Sequence, residues 1–144
     1  MKTCVVDTSV AAKWLLPAAN ETFVDEANRL LRLHLRGELH LVAPDLIFSE
    51  LGNVCWKAVR RARITRSQAE AALRRFAEFA IETFPASSLM SQAWSVAIAH
   101  DRSFYDSLYV ALAVTTGVEL ITADERLVNA LGTRFPVRWL GAFV

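Results

Sequence analysis

Short apolar segments alternate with longer amphipathic segments along this chain, and this alternation restricts the fold more than any other feature. Four segments are typical of buried strands: residues 4–6, 40–43, 118–122 and 137–140. Between them, apolar residues recur at helical spacing, as in residues 21–36, where Gly37 supplies the stop. Strands separated by helices predict a short parallel sheet with helices on both faces, a three-layer α/β/α fold.

Local signals predict where the other helices begin and end. Thr8 or Ser9 is expected to cap a short helix that stops at Pro17. Further helices are predicted from Pro44-Asp45 to about Arg61, from Ser67 to a break at Phe84-Pro85, from Ser87 or Ser88 to His100, from Ser103 to Thr116, and over residues 125–131. The chain has 144 residues, so we expect residues 1–144 to form a single domain.

The composition is typical of a folded protein without a general affinity for polyanions. The formal net charge is +1, so any surface for nucleic acid must be local. Cys4 and Cys55 lie in apolar segments and form no Cys-x-x-Cys pair, which favours reduced, buried thiols over a disulfide. Asp7 argues against a signal peptide, and no segment suits a membrane span of about 20 apolar residues. We therefore expect a cytoplasmic protein.

Two acidic residues directly follow predicted strands. Asp7 comes after Cys4-Val5-Val6, and Asp124 stands in the same relation to residues 120–123. In open parallel sheets, ligands bind beyond the carboxyl ends of the strands, so both side chains are candidates for a site. Either residue alone is also typical of a cap on the following helix, and this alternative stays open.

Two more acidic residues fall within apolar helical patterns. Glu50 is surrounded by apolar residues at helical spacing, which predicts a buried charge that needs a cation or several hydrogen-bond donors. A position at the helix edge that reaches solvent remains the alternative. Asp106 lies in a helix that is apolar nearly all round and therefore central, although it also follows Ser103 by three residues, as in a cap.

Four acids on four different elements predict one shared site. Their mutual repulsion requires cations, and oxygen-rich carboxylate sites suit Mg²⁺ or Mn²⁺ rather than zinc. The histidines show no spacing typical of zinc ligands: His34, His40 and His100. We therefore predict that Asp7, Glu50, Asp106 and Asp124 bind metal and are catalytic.

The same acids lie in four ordered motifs that cover nearly the whole chain. These are Val5-Val6-Asp7-Thr8-Ser9-Val10, Pro44-Asp45-Leu46-Ile47-Phe48-Ser49-Glu50-Leu51-Gly52-Asn53, Tyr105-Asp106-Ser107-Leu108-Tyr109-Val110-Ala111-Leu112-Ala113 and Leu120-Ile121-Thr122-Ala123-Asp124-Glu125-Arg126-Leu127. In these motifs the chain resembles the PIN-domain nucleases, and most closely the VapC toxins of toxin–antitoxin pairs. The resemblance implies that the four acids bind metal, with Thr8, Ser9 and Thr122 as the polar residues beside them.

The resemblance also implies an activity and partners. The expected reaction is metal-assisted hydrolysis of RNA phosphodiester bonds with Mg²⁺ or Mn²⁺, by the toxin of a toxin–antitoxin pair. The expected partners are an RNA substrate, a cognate antitoxin protein and a second copy of the chain in a homodimer. Asn53, one helical turn after Glu50, can orient that carboxylate, although an ordinary surface asparagine is the simpler interpretation.

A basic cluster follows Glu50 on the same predicted helix: Lys57, Arg60, Arg61, Arg63 and Arg66. These residues are candidates for RNA contacts, although basic residues near a helix C-terminus also favour the helix dipole. Two other functions remain as alternatives: a phosphohydrolase that uses Asp7 as a nucleophile, and a non-catalytic partner-binding domain. Ser9 stands where haloacid dehalogenase-like enzymes want a second aspartate, which disfavours the first.

Overall fold

The structure is a computed structural model that describes residues 1–143 of the chain. Within these residues, five strands form one sheet: β1 (Lys2–Val6), β2 (Leu39–Pro44), β3 (Glu82–Phe84), β4 (Glu119–Thr122) and β5 (Val137–Trp139). The same residues contain seven α-helices: α1 (Thr8–Leu15), α2 (Val24–Leu35), α3 (Leu46–Arg60), α4 (Arg66–Glu78), α5 (Met90–His100), α6 (Phe104–Thr116) and α7 (Glu125–Leu131).

The sheet is parallel throughout, with the strand order β3-β2-β1-β4-β5. The central strands are the most apolar, and residues 4–6 of β1 are fully buried. The chain moves from β1 outward to β2 and β3, then returns to the other side of β1 with β4. The order in which the chain adds strands therefore reverses between β1 and β4. In such folds the crevice for ligands lies at this reversal, beyond the carboxyl ends of the strands.

Helix α6 is the central helix of the fold, as its apolar sequence predicts. Residues 107–113 are all buried, and α6 packs across β1, β2 and β4, with α5 against it. Helix α1 packs against α2, α3 and α4. The arrangement confirms the predicted three-layer α/β/α fold, and it directs the start of α6 and the first half of α3 toward the end of β1.

Several predicted boundaries were wrong. Asp7 rather than Thr8 or Ser9 caps α1, since its side chain accepts a hydrogen bond from the Val10 amide. Helix α2 begins at Val24 instead of residue 21, because Phe23 adopts a left-handed conformation (φ 56°) that interrupts the helix.

The segment predicted to continue as a helix to Phe84 instead ends at Glu78, and strand β3 follows it. Ala80 has a positive φ of 54°, which breaks the helical path before the strand. Helix α5 starts at Met90 rather than at Ser87 or Ser88, which belong to a short 3₁₀ turn, Ala86–Ser88.

Two further predictions concern burial and membranes. Cys4 and Cys55 are both buried and free, so the prediction of reduced thiols is confirmed. Among the helices of residues 1–143, none is both long and apolar enough to cross a bilayer.

Candidate metal-binding active site

The four predicted acids come together. Asp7, Glu50, Asp106 and Asp124 line one small pocket of about 120 Å³, together with the side chains of Thr8, Ser9 and Tyr109. Asp7 directly follows β1, and Asp124 lies two residues after the end of β4. Glu50 lies in the second turn of α3, and Asp106 lies in the first turn of α6. The pocket thus lies where the strand order reverses, between β1 and β4, as the strand-end positions of Asp7 and Asp124 predict.

Asp7 is the most buried of the four acids, with only 7% of its surface exposed. Its Oδ1 accepts hydrogen bonds from Ser9 Oγ at 2.5 Å and from the Val10 amide at 3.3 Å, and its Oδ2 accepts one from Thr122 Oγ1. Burial raises the pKa of Asp7 to about 6, although these three donors oppose the rise. Nearby Asp106 adds to the increase through charge repulsion.

Ser9 and Thr122 join the ends of β1 and β4. Ser9 Oγ accepts a hydrogen bond from the Ala123 amide at 2.9 Å, and Thr122 Oγ1 accepts one from the Asp124 amide at 3.0 Å. Both hydroxyls also donate to Asp7, so each links a backbone amide after β4 to the Asp7 carboxylate. The network fixes the position of Asp7 relative to the backbone that carries Asp124.

Glu50 is half-buried, so of its two predicted positions the structure supports the helix edge that reaches solvent rather than a fully enclosed apolar face. Its Oε1 accepts hydrogen bonds from Tyr109 Oη at 2.6 Å and from Thr8 Oγ1 at 2.9 Å. The Thr8 and Tyr109 oxygens are themselves 2.9 Å apart, which closes a triangle of three oxygens. Both donors act on Oε1, and so Oε2 is left for groups in the pocket.

Tyr109 is a site residue that sequence reasoning missed. Its ring is buried within α6, and its hydroxyl reaches Glu50 from one turn beyond Asp106. Burial, followed by the charge of Glu50, holds the pKa of Tyr109 well above its usual range, so its hydroxyl remains a donor. The signal in the sequence is a tyrosine within an apolar helix, because a buried phenol needs a polar partner.

Asp106 and Asp124 are partly exposed residues at the starts of α6 and α7. The capping alternatives are true for both positions: Ser103 Oγ accepts from the Asp106 amide, and Asp124 Oδ1 accepts from the amides of Arg126 and Leu127. Partial burial raises the pKa of Asp106, and the charges of Asp124 and Glu50 raise it further. A role in helix capping is therefore compatible with a place in the pocket, since both residues also line it.

The pocket has the chemistry of a site for a hard cation. Carboxylate and hydroxyl oxygens are the ligands that Mg²⁺ and Mn²⁺ prefer. Within residues 1–143, no three His, Cys, Asp or Glu side chains lie close enough together to hold a metal ion in the arrangement that the structure shows. Carboxylates repel one another when no cation lies between them, so we expect them to stand apart. The same repulsion, from the charges of Asp124 and Glu50, adds to the effect of burial on the pKa of Asp106. The oxygen donors that line the pocket are of the kind that suits a divalent cation.

The other predicted residues lie outside the acidic pocket. Asn53 is exposed and lines a neighbouring notch that also contains Glu50. Lys57, Arg61 and Arg63 line a separate cleft at the end of α3, and Arg66 pairs with Glu70 on the surface. Lys57, Arg61 and Arg63 are therefore close in sequence to the site but line a surface of their own.

Comparison with known proteins identifies the family. The sequence profile of the PIN domain matches residues 4–131, which is most of the chain. The chain belongs to the PIN-domain family. Its curated relatives include proteins named VapC ribonucleases: Ribonuclease VapC1 of Mycobacterium tuberculosis is 33% identical over 133 residues, which cover 92% of this chain and 93% of that protein. Ribonuclease VapC3 of Pyrobaculum aerophilum is 32% identical over 125 residues, 85% of this chain and 90% of that protein.

Solved structures of other proteins share this PIN fold. PAE2754 from Pyrobaculum aerophilum superposes with a TM-score of 0.71 at 21% identity, covering 97% of this chain and 85% of that one. VapC20 of Mycobacterium tuberculosis, described as a toxin that cleaves the sarcin-ricin loop, superposes with a TM-score of 0.62 at 21% identity, covering 92% and 95%. At these identities the likeness establishes the fold, and the predicted three-layer PIN-like architecture is confirmed.

Proposed function

We propose that this PIN domain is an endoribonuclease that depends on Mg²⁺ or Mn²⁺ and acts as the toxin of a toxin–antitoxin pair. The observation that carries the proposal is the convergence of Asp7, Glu50, Asp106 and Asp124, from four separate elements, on one small pocket. The relatives named VapC ribonucleases support both the RNA substrate and the toxin role.

The four acids are the proposed metal ligands, and the hydroxyl residues beside them are proposed to orient them. A bound divalent cation would supply an activated water and stabilise the oxygen that leaves the phosphorus. Ser9 and Thr122 hold both oxygens of Asp7 in place and favour its ionised form. Tyr109 and Thr8 fix Glu50 through Oε1, and Oε2 is proposed as the oxygen that binds the metal.

Partial burial gives these carboxylates a second role. A site with few bulk waters strengthens each electrostatic contact with a phosphate or a cation. Asp106 and Asp124 stand on the exposed side of the pocket, where an RNA backbone can enter, while Asp7 forms its buried base. The pocket is small, and so it suits a phosphodiester group rather than a whole nucleotide.

The proposal includes partners and a cellular location. Solved relatives include VapBC complexes from Rickettsia felis and from Mycobacterium tuberculosis, and by analogy we propose that an antitoxin protein binds this chain and blocks the acidic pocket. A homodimer is proposed on the same family grounds. A cytoplasmic location suits the two free, buried cysteines and an RNA substrate.

The decisive experiment incubates the purified chain, free of any partner, with total cellular RNA in Mg²⁺ or Mn²⁺ and maps new RNA ends by sequencing. We expect defined cleavage sites that disappear with EDTA and in an Asp7→Asn variant. Asp101→Asn is the matched control, because Asp101 is exposed and lies outside the pocket. Cleavage that survives EDTA, or an Asp7→Asn variant as active as the control, would falsify the proposal.

A further inference from the structure

The outer face of α3 continues from the acidic pocket as a strip of exposed polar, aromatic and basic residues. Ser49, Asn53, Trp56 and Arg60 recur every three or four residues, so they share one face of the helix, and all four are exposed. A notch of about 330 Å³ at the start of this face is lined by Ser49, Glu50 and Asn53, with Leu46 and Tyr105. Because Glu50 lines both cavities, the notch opens directly beside the acidic pocket.

Two large aromatic side chains, one on this strip and one beside the notch, are exposed although side chains of their size are usually buried. Tyr105 is 59% exposed beside the notch, and Trp56 is 55% exposed farther along α3. The guanidinium of Arg60 lies 5.0 Å from the centre of the Trp56 ring. An exposed tryptophan next to a cation is the combination that holds a nucleic acid base, by stacking, and its phosphate, by charge.

The charges near Trp56 have no salt-bridge partner among the residues that the structure describes. Lys57, Arg60 and Arg61 make no salt bridge with any residue in the 1–143 range that the structure describes. Lysine is depleted at protein–protein interfaces although arginine is enriched there, so Lys57 favours a polyanion as the partner, because a polyanion gains from each cationic contact. By contrast, the exposed apolar residues of α5, which are Met90, Trp94 and Ile98, belong to a helix with no acidic, lysine or arginine side chain. Charge therefore distinguishes the two surfaces.

We propose that the strip formed by Ser49, Asn53, Trp56 and Arg60, with Tyr105 at its start, binds the single-stranded RNA segment that flanks the scissile phosphate. The inference rests on the proposed ribonuclease function. Six residues separate Glu50 from Trp56, about 9 Å along the helix axis at a rise of 1.5 Å per residue. Trp56 then stacks on a base about two or three nucleotides from the cleaved bond, at about 3.4 Å per stacked base. Asn53 donates to and accepts from base edges between them.

The test measures RNA affinity separately from cleavage. All variants are made in an Asp7→Asn background, and binding of a fluorescent single-stranded RNA of mixed sequence is followed by anisotropy at several salt concentrations. We expect Trp56→Ala to weaken binding about tenfold and Trp56→Phe to weaken it much less, because a ring that can stack remains. Arg60→Gln is expected to weaken binding and to lower the salt dependence by about one ion.

Two matched controls correct for general effects. Trp94→Ala removes an equally exposed tryptophan from α5, and Arg134→Gln removes the same charge at another exposed position. Both are expected to bind RNA as the parent does, or nearly so. Ultraviolet crosslinking followed by mass spectrometry is expected to place RNA on the peptide that contains Trp56.

The outcomes separate this inference from the proposed function. If the wild-type chain cleaves RNA in Mg²⁺ but Trp56→Ala binds as tightly as Trp94→Ala, the strip is not the RNA path and only this inference fails. If Trp56→Ala instead changes the molecular mass in solution and leaves RNA affinity unchanged, the strip binds protein. If Trp56 governs RNA affinity but the wild-type chain cleaves RNA in no metal, the strip binds single-stranded RNA, whereas the nuclease proposal fails and with it the position of the strip beside a cleaved bond.

Discussion

Asp7→Asn is expected to stabilise the folded chain in the absence of divalent metal, although it removes a proposed catalytic group. Asp7 is almost fully buried, and its pKa is raised from 3.8 to about 6. In the unfolded chain the same carboxyl ionises near its ordinary value. At neutral pH the folded state therefore carries a charge that it holds less favourably than the unfolded state does.

The sign and size follow from proton linkage. Between the two pKa values the folded state binds more protons than the unfolded state, so the free energy of unfolding falls as the pH rises through this range. A difference of about two pKa units corresponds to about 3 kcal/mol, which is fully lost above the folded-state pKa. Asparagine avoids this loss but replaces one acceptor oxygen with an amide nitrogen, at a cost of about 1 kcal/mol. The net expected gain for Asp7→Asn is about 2 kcal/mol.

Urea unfolding in EDTA at a series of pH values measures this gain. At about pH 7.5 we expect Asp7→Asn to have a higher free energy of unfolding than the wild type. Near pH 3 the advantage should disappear, because this lies well below both pKa values and Asp7 is then largely protonated in the folded and the unfolded state. Asp101→Asn serves as the control, since Asp101 is exposed and asparagine tolerates its left-handed backbone (φ 51°). A destabilised Asp7→Asn protein at neutral pH, or a difference that does not change with pH, would refute the reasoning.

Four further outcomes follow from the same geometry. Saturating Mg²⁺ should raise the free energy of unfolding of the wild type, by about 2.7 kcal/mol at 100 times Kd, and should do much less for Asp7→Asn in the same urea assay. Tyr109→Phe removes a 2.6 Å donor to Glu50, so RNA cleavage should slow about tenfold while the free energy of unfolding changes by no more than about 1.5 kcal/mol. Thr122→Val removes a donor that lowers the pKa of Asp7, so the rise of cleavage rate with pH should shift to higher pH than in the wild type. Gly117→Ala should lower the unfolding free energy by about 1 kcal/mol, because Gly117 ends α6 at φ 69°, and activity should be retained.

The sequence predicted the fold class because its central elements carry strong signals. Strands β1 and β4 are apolar runs, and α6 is apolar nearly all round, so the sequence of each element predicts that it is buried. Strand β3 carries no such signal: it has three residues, Glu82, Thr83 and Phe84, and lies at the edge of the sheet, where only β2 fixes it. The edge position alone is not the reason, because β5 also has a single neighbour and was predicted from its sequence, whereas β3 lacks a pattern of its own.

The four acids were predictable as a group, but their individual environments were not. Helical spacing placed Glu50 on an apolar face, yet the side chain lies at the edge of that face and is half-buried. Asp7 is the acid that is buried. The partners that decide this, Tyr109 for Glu50 and Thr122 for Asp7, are 59 and 115 residues away along the chain. No local pattern encodes contacts over such separations, so the hydrogen bonds and pKa shifts required the folded structure.

The hydroxyl groups explain how one small domain can hold four acids in a single pocket. Each carboxylate with substantial burial is met by neutral donors: Ser9 and Thr122 on Asp7, and Thr8 and Tyr109 on Glu50. Neutral donors lower the cost of burying a charge without neutralising it, whereas a lysine or arginine at these positions would compete with a metal ion for the same oxygens. The remaining cost, which comes mainly from the burial of Asp7 and to a smaller extent from repulsion by Asp106, keeps the metal-free site less stable than an amide-substituted site. Binding of a divalent cation is expected to remove that penalty.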